Sequence, residues 1–276
     1  MNFNRRQFLG AAPAALAATR ALHADPLGMP IGCQTWPVRE ALGKDFEGTL
    51  RQLSGIGFKT IEMCSPPSYT EFRPLASLTA AQMRKTIEGA GLRCESCHYQ
   101  FRELKENLDE RMAFAKELGL KQMVLASFGL PATATLADYK QAAQDLNHVG
   151  ERAQKAGFQL AYHNHDNEFK ELDGVLIYDE LMRQFDAKLV KMQFQVAVIS
   201  LGFEAVTYFK KYPGRFLSMH LADYSTADKT VVAVGSGVVD WKKLFAAAKS
   251  AGVRNYFVEV DPRAMKPSYD YLHQLK

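Results

Sequence analysis

The chain is poor in the features that mark several protein classes at once. Among its 276 residues there is no apolar run long enough to cross a bilayer; the nearest approach, 10–18 (GAAPAALAA), is far too short. No block of Lys or Arg offers the basic stripe that phosphate contacts need, so nucleic acid is not an expected partner. No Pro/Gly/Ser-rich linker or low-complexity tract divides the chain. What remains, 47% hydrophobic and 23% charged residues, is an ordinary composition that suits one large α/β domain.

The N-terminus departs from this pattern. Arg5 and Arg6 precede Phe8, Leu9 and an Ala-rich stretch, the arrangement of a twin-arginine export signal. Residues 1–24 are therefore expected to be a signal peptide that delivers an already folded domain, 25–276, to the bacterial periplasm. Ala24 ends a plausible cleavage sequence, with no membrane anchor left behind. Removing the segment takes away Arg5, Arg6 and Arg20, leaving 31 basic against 30 acidic residues in place of a net +4.

Cysteine is scarce, at four residues, yet Cys94-Glu-Ser-Cys97-His98 satisfies the c-type haem pattern. The stretch follows an Ala-Gly helix stop and has the character of a strand, on which residues three apart point to opposite faces. That parity argues against both haem attachment and a Cys94–Cys97 disulfide. Cys33 and Cys64 fall on what would be adjacent strands, with nothing to fix their pairing.

A punctuation recurs along the chain: a helix-like stretch, a Gly, then four to seven mostly apolar residues. It occurs at 57–62 (GFKTIE), 91–96 (GLRCES), 119–125 (GLKQMVL), 157–162 (GFQLAY) and 252–259 (GVRNYFVE). A Gly just past a helix provides its left-handed cap, and an apolar run suits a strand covered on both faces. With 30–36, 189–195 and 216–220 there are eight strand candidates, separated by amphipathic segments such as 77–90, 102–118 and 137–156. Eight βα units in about 250 residues predict a single (β/α)8 TIM barrel. A doubly wound sheet would want a Gly-rich phosphate loop after its first strand, where this chain has Trp36-Pro37.

Closing the strands in order gathers chemistry at their C-terminal ends: Gln34 or Trp36, Glu62, His98, Ser127, His163 or His165, Gln193 and Gln195, His220 and Glu259. Imidazoles and carboxylates that converge on one rim are what a divalent first-row metal requires. His163 and His165 share a strand face and could grip one ion or one substrate. His220 and Glu259 occupy equivalent places on the last two strands. His98 by itself would be a structural histidine, and Glu168 and Asp223, just inside loops, could as well order those loops. Gly235-Ser-Gly237 is expected to be a tight turn.

At this point the chain resembles the sugar phosphate isomerase/epimerase family, with its xylose isomerase-like barrel, over residues 29–276. The resemblance rests on 163–169 (HNHDNEF), 215–223 (RFLSMHLAD), 234–241 (VGSGVVDW) and 256–261 (YFVEVD). It implies metal ligation by His220 and Glu259, with His163 in place of the family's strand-five carboxylate. Gln195 stands where the family has a strand-six Asp, a neutral oxygen for a charged one. Ala222 replaces the Lys of the usual His-Leu-Lys-Asp.

The resemblance implies an exported sugar isomerase or epimerase that works through a metal-stabilised ene-diolate, with a divalent cation (Mn, Zn, Co or Mg) and a small-molecule sugar. In that reading Glu259, His163 and His165 are catalytic, and Trp36, Glu62, His98, Gln193 and Asp223 bind substrate. His220, Glu259, His163 and Gln195 hold the metal. The same chemistry run as β-elimination would make a keto-glycoside lyase. A rival reading, motivated by Gln195 and Ala222, is a metal-poor sugar-binding barrel. DNA-repair endonucleases share the barrel and are set aside on charge. Apolar positions on the outer helices could serve a homo-oligomer.

Overall fold

A computed structural model describes residues 25–275; the expected export signal lies outside the described residues. Eight parallel strands close on themselves in sequence order: β1 (Gly32–Gln34), β2 (Thr60–Cys64), β3 (Arg93–Gln100), β4 (Gln122–Ser127), β5 (Gln159–His163), β6 (Val190–Gln195), β7 (Phe216–Leu221) and β8 (Asn255–Val258). Closure is made by β1 against β8, with Gly32 opposite Phe257 and Cys33 opposite Val258. Every residue of β2 and β7 is buried, as expected of strands lined on one face by the barrel interior and on the other by helices. The chain is thus the single-domain (β/α)8 barrel expected from the repeat.

Local sequence starts and stops the helices. Thr79 and Gln82 form a reciprocal capping box on helix Ala80–Gly89, and Thr135 and Asp138 do the same for Leu136–Lys155. Gly252 ends helix Trp241–Ala251 at φ +93°, a conformation that strains any residue with a Cβ. The segment expected as one helix over 102–118 is two, Phe101–Glu106 and Leu108–Leu118, broken at Asn107 (φ −127°). Across the break the buried Arg111 and Glu103 stand 3.5 Å apart, and Glu103 also accepts the Ser65 hydroxyl at 2.5 Å. Two short hairpins lie outside the barrel, Glu171–Leu172 with Val175–Leu176 and Asp223–Ser225 with Thr230–Val232. The first turns on Asp173-Gly174, both at positive φ, the turn chemistry of a tight hairpin.

The cysteines correct a step of the sequence argument. A bulge in β3 shifts its register, so that Cys94 sits opposite Ile61 and Cys97 opposite Met63, two residues apart on β2. The pair therefore shares a strand face, contrary to simple alternation. Both are nonetheless free thiols, buried, and burial raises the thiol of Cys94 to about 12. Cys33 and Cys64 are free and buried as well.

Candidate metal and sugar site

Seven of the eight strand ends, all but that of β4, deliver one or two polar side chains to the cluster. Gln34 comes from β1, Glu62 from β2, Ser96 and His98 from β3, His163 from β5, Gln193 and Gln195 from β6, and His220 from β7, while Glu259 follows β8 directly. The histidines all ride on odd-numbered strands. Side chains from alternate strands share a layer in such barrels, and the three rings accordingly meet, with centroids 5.1 Å (His98–His163), 5.2 Å (His98–His220) and 4.4 Å (His163–His220) apart. One nitrogen from each lies within 4.8 Å of the others.

Beneath them Glu62 is wholly buried, which is costly for a carboxylate unless donors replace its water. The donors are there. Its Oε1 accepts from Ser96 Oγ (2.5 Å) and Gln193 Nε2 (2.8 Å), and its Oε2 from Gln34 Nε2 (3.0 Å) and His220 Nε2 (2.5 Å), with His98 Nε2 at 3.1 Å. Burial alone would raise the Glu62 carboxyl, but the charges and hydrogen bonds of His98 and His220 hold it well below the usual range. His220 Nδ1 stands 2.9 Å from Glu259 Oε2. Burial opposes charge on His220, yet the carboxylates of Glu259 and Glu62 on either side lift it to about 10. Glu259 is likewise pushed up by burial and held below its ordinary value chiefly by His220. His163 and His165 behave in the opposite way: burial and neighbouring imidazoles depress both, so both are neutral at pH 7.

Above this floor opens a cavity of about 540 Å³, lined by Trp36, Tyr69, His98, His163, His165 and Glu259 among others. It is large enough for a small molecule. Trp36 forms a wall, with the Arg39 guanidinium 4.4 Å from its ring centroid and Tyr69 edge-on at 5.7 Å. Among the described residues the buried Nδ1 of His163 has no hydrogen-bond partner. An orphaned nitrogen amid imidazoles, beside a second Nδ1 that faces a carboxylate oxygen, is the donor set of a cation that prefers nitrogen. The side chains present therefore fit a divalent metal.

Several sequence expectations need correction. Glu62 and Gln193 are absent from the cavity lining and fully buried, so they support the imidazoles rather than touch a substrate. Asp223 is also fully buried and outside the cavity. It accepts from the amides of Tyr224 (2.9 Å), Gly235 (3.1 Å) and Val239 (3.0 Å) and from Trp241 Nε1 (2.8 Å), so it orders a loop. The Gly235–Gly237 turn packs on it so tightly that a Cβ at Gly237 would lie 2.3 Å from Asp223 Oδ1. Gln195, expected as a metal ligand, has its carbonyl oxygen on the Ala197 amide (3.2 Å) and its Nε2 on Glu259 Oε2 (2.7 Å), so in this structure the side chain braces Glu259. His98, expected to bind substrate, lines the cavity and joins the imidazole cluster. Strand parity was the signal that could have found it. Glu168 accepts from Tyr162 Oη (2.6 Å) and the His165 amide (2.7 Å), a loop-capping role.

Comparison with known proteins agrees with this architecture. The inosose dehydratase of Bacillus cereus (strain AH820) is 25% identical over 154 residues, 48% of this chain and 51% of that protein. One from Lacticaseibacillus casei is 24% identical over 160 residues, covering 50% of this chain and 53% of its own. The chain thus spans about half the length of these curated relatives. Among solved structures, a sugar phosphate isomerase/epimerase from Parabacteroides distasonis superposes with a TM-score of 0.77 at 24% identity, over 95% of this chain and 98% of that one. The IolI protein solved with a zinc atom gives a TM-score of 0.63 at 14% identity, over 89% and 94%. The family model described as xylose isomerase-like TIM barrel matches residues 50–274, and the chain belongs to that family.

Proposed function

We propose that the chain is an exported enzyme that isomerises or epimerises an uncharged sugar or keto-sugar by moving a proton on carbon next to a carbonyl. The observation that carries this reading is the meeting of neutral His163 and His165 with the ionised Glu259 around one cavity at the C-terminal rim. His163, His220 and Glu259 would hold a divalent cation, with His98 beside them. A cation held there would supply Lewis acidity toward a carbonyl and its neighbouring hydroxyl.

The chain's own groups supply the rest. Gln195 and His220 both engage Glu259 Oε2, which leaves Oε1 as the oxygen to accept the carbon-bound proton. His165, kept neutral by burial, exchanges a proton with the substrate hydroxyl. Trp36 offers its ring to the apolar face of a sugar. Among the described residues Arg102 is the one Lys or Arg that lines the cavity, and Glu106 takes its Nε–H at 2.9 Å. Ala222 is a buried small residue where the family resemblance implies a Lys. Both features disfavour a phosphorylated substrate.

The inosose dehydratase relatives support a second reading, β-elimination. It begins with the same proton removal and ends with departure of a group from the neighbouring carbon. Metal content by inductively coupled plasma mass spectrometry comes first, with about one equivalent of a transition metal expected. Candidate aldoses, ketoses and inososes are then incubated in D2O. A deuterated isomer supports the first reading and loss of water the second. Binding without turnover or exchange in the metal-loaded protein would overturn both in favour of a sugar-binding barrel.

A further inference from the structure

We infer that Glu62 is the positioning residue that fixes a proton on Nε2 of both His98 and His220, leaving Nδ1 of each ring as the nitrogen available to a cation. The assignment follows from the surrounding hydrogen bonds. Gln34 is locked, because its Oε1 accepts the Trp36 amide at 2.8 Å and its Nε2 must then face Glu62. Gln193 is locked in turn, with Nε2 directed to Glu62 Oε1 (2.8 Å) and Ser218 Oγ (2.9 Å), which turns its Oε1 to His98 Nε2 at 2.7 Å. His98 Nε2 therefore faces two oxygens that carry no proton, Gln193 Oε1 and Glu62 Oε2, and must itself carry one. His220 Nε2, 2.5 Å from Glu62 Oε2, is bound by the same logic. One carboxylate oxygen thus sets two imidazoles from strands β3 and β7, and His220 Nδ1 is left facing Glu259 Oε2 at 2.9 Å, a gap that only a proton or a metal cation can fill. Partners of this kind orient metal-ligating histidines.

The inference deepens the metal-site reading of the same cavity, but its tautomer half stands without any metal. Long-range 1H–15N spectra of the 15N-labelled full chain, recorded with EDTA at pH 8, should show a proton on Nε2 of both His98 and His220. A bare Nε2 with its proton on Nδ1, in either ring, overturns the assignment. In Glu62→Gln the new NH2 faces a donor either way, Gln34 Nε2 and the rings on one side or Gln193 Nε2 on the other; the second arrangement turns the Gln193 amide so that its NH2 points at His98 Nε2, and the Nδ1–H form of His98 should appear. Zn2+ affinity, measured by competition with a chromophoric chelator, should fall by about 10- to 100-fold. A folded Glu62→Gln protein with unchanged tautomers and unchanged Zn2+ affinity also overturns it. If that variant does not fold, the wild-type spectra decide alone. A wild type that binds no Zn2+ but shows Nε2 protons on both rings would defeat the metal reading and leave the role of Glu62 intact.

Discussion

Glu62 and Asp223 are both fully buried carboxylates in one barrel, satisfied in contrasting ways. Asp223 takes backbone amides and an indole N–H from residues no more than 18 positions away along the chain. Glu62 takes side chains from four other strands, the farthest 158 positions away, and two of them are imidazoles. A carboxylate bound by local amides holds a loop in shape, whereas one bound by distant titratable groups arranges a site. Burial and sequence context do not separate the two; the identity and origin of the donors do.

The sharpest way to break this contrast is Asp223→Ala. It leaves several buried N–H groups without an acceptor and should cost about 3–5 kcal/mol of stability, seen as a large drop in melting temperature. The cavity residues should keep their Zn2+ affinity, provided the protein is assayed below its melting point. Loss of Zn2+ affinity in a folded Asp223→Ala protein would erase the distinction between loop and site. Glu259→Gln is the converse case. Turnover on an identified substrate should fall by about 10²- to 10⁴-fold, with a far smaller change in melting temperature, and full activity would remove Glu259 from the chemistry.

Substituting Asp at Gln195 introduces the carboxylate that the family resemblance implies on strand six. Zn2+ affinity should rise by about tenfold, read by the same chelator competition, since a carboxylate replaces an amide committed to Ala197 and Glu259. No change would mean that this strand end lies too far from the cation. The pH test is subtler. His220 is raised from 6.5 to about 10 by its two carboxylates, so its contribution in the metal-free fold is complete below pH 6.5 and declines as pH climbs toward 10. Melting temperature in EDTA should therefore fall by several degrees between pH 7 and pH 10. In His220→Gln that portion of the slope should be absent, and its persistence would show that other groups dominate. The smallest effect is that of Trp36→Ala, which should raise KM several-fold and leave kcat nearly unchanged, because the ring contributes a wall rather than a reacting group.

The fold was legible because its signals are local and repeated. The Gly at each helix end and the apolar run after it marked the strand positions, down to Glu62, His163, His220 and Glu259 at or beside strand ends. The errors have local causes that only packing reveals. A bulge in β3 reversed the expected parity of Cys94 and Cys97. Asn107 broke a helix whose two pieces are joined by Glu103 and Arg111. Asp223 was open to substrate binding or loop ordering because a carboxylate after His220-Leu-Ala has the same one-dimensional signature in either role. Gln195 was recognised as a departure from the family, but its amide is held by Ala197, a partner that spacing does not disclose.

The residues alone determined that eight βα units would close into a barrel and that imidazoles and carboxylates would gather at one rim, because hydrophobic period and helix caps are properties of neighbours in sequence. The direction in which each polar group points was decided only by the closed barrel. Closure sets Glu62 beneath His98 and His220, whose chain positions differ by 122. A buried charge must take whatever donors that geometry supplies, and so the tertiary structure selected the scaffold carboxylate, the site carboxylate and the nitrogens left free.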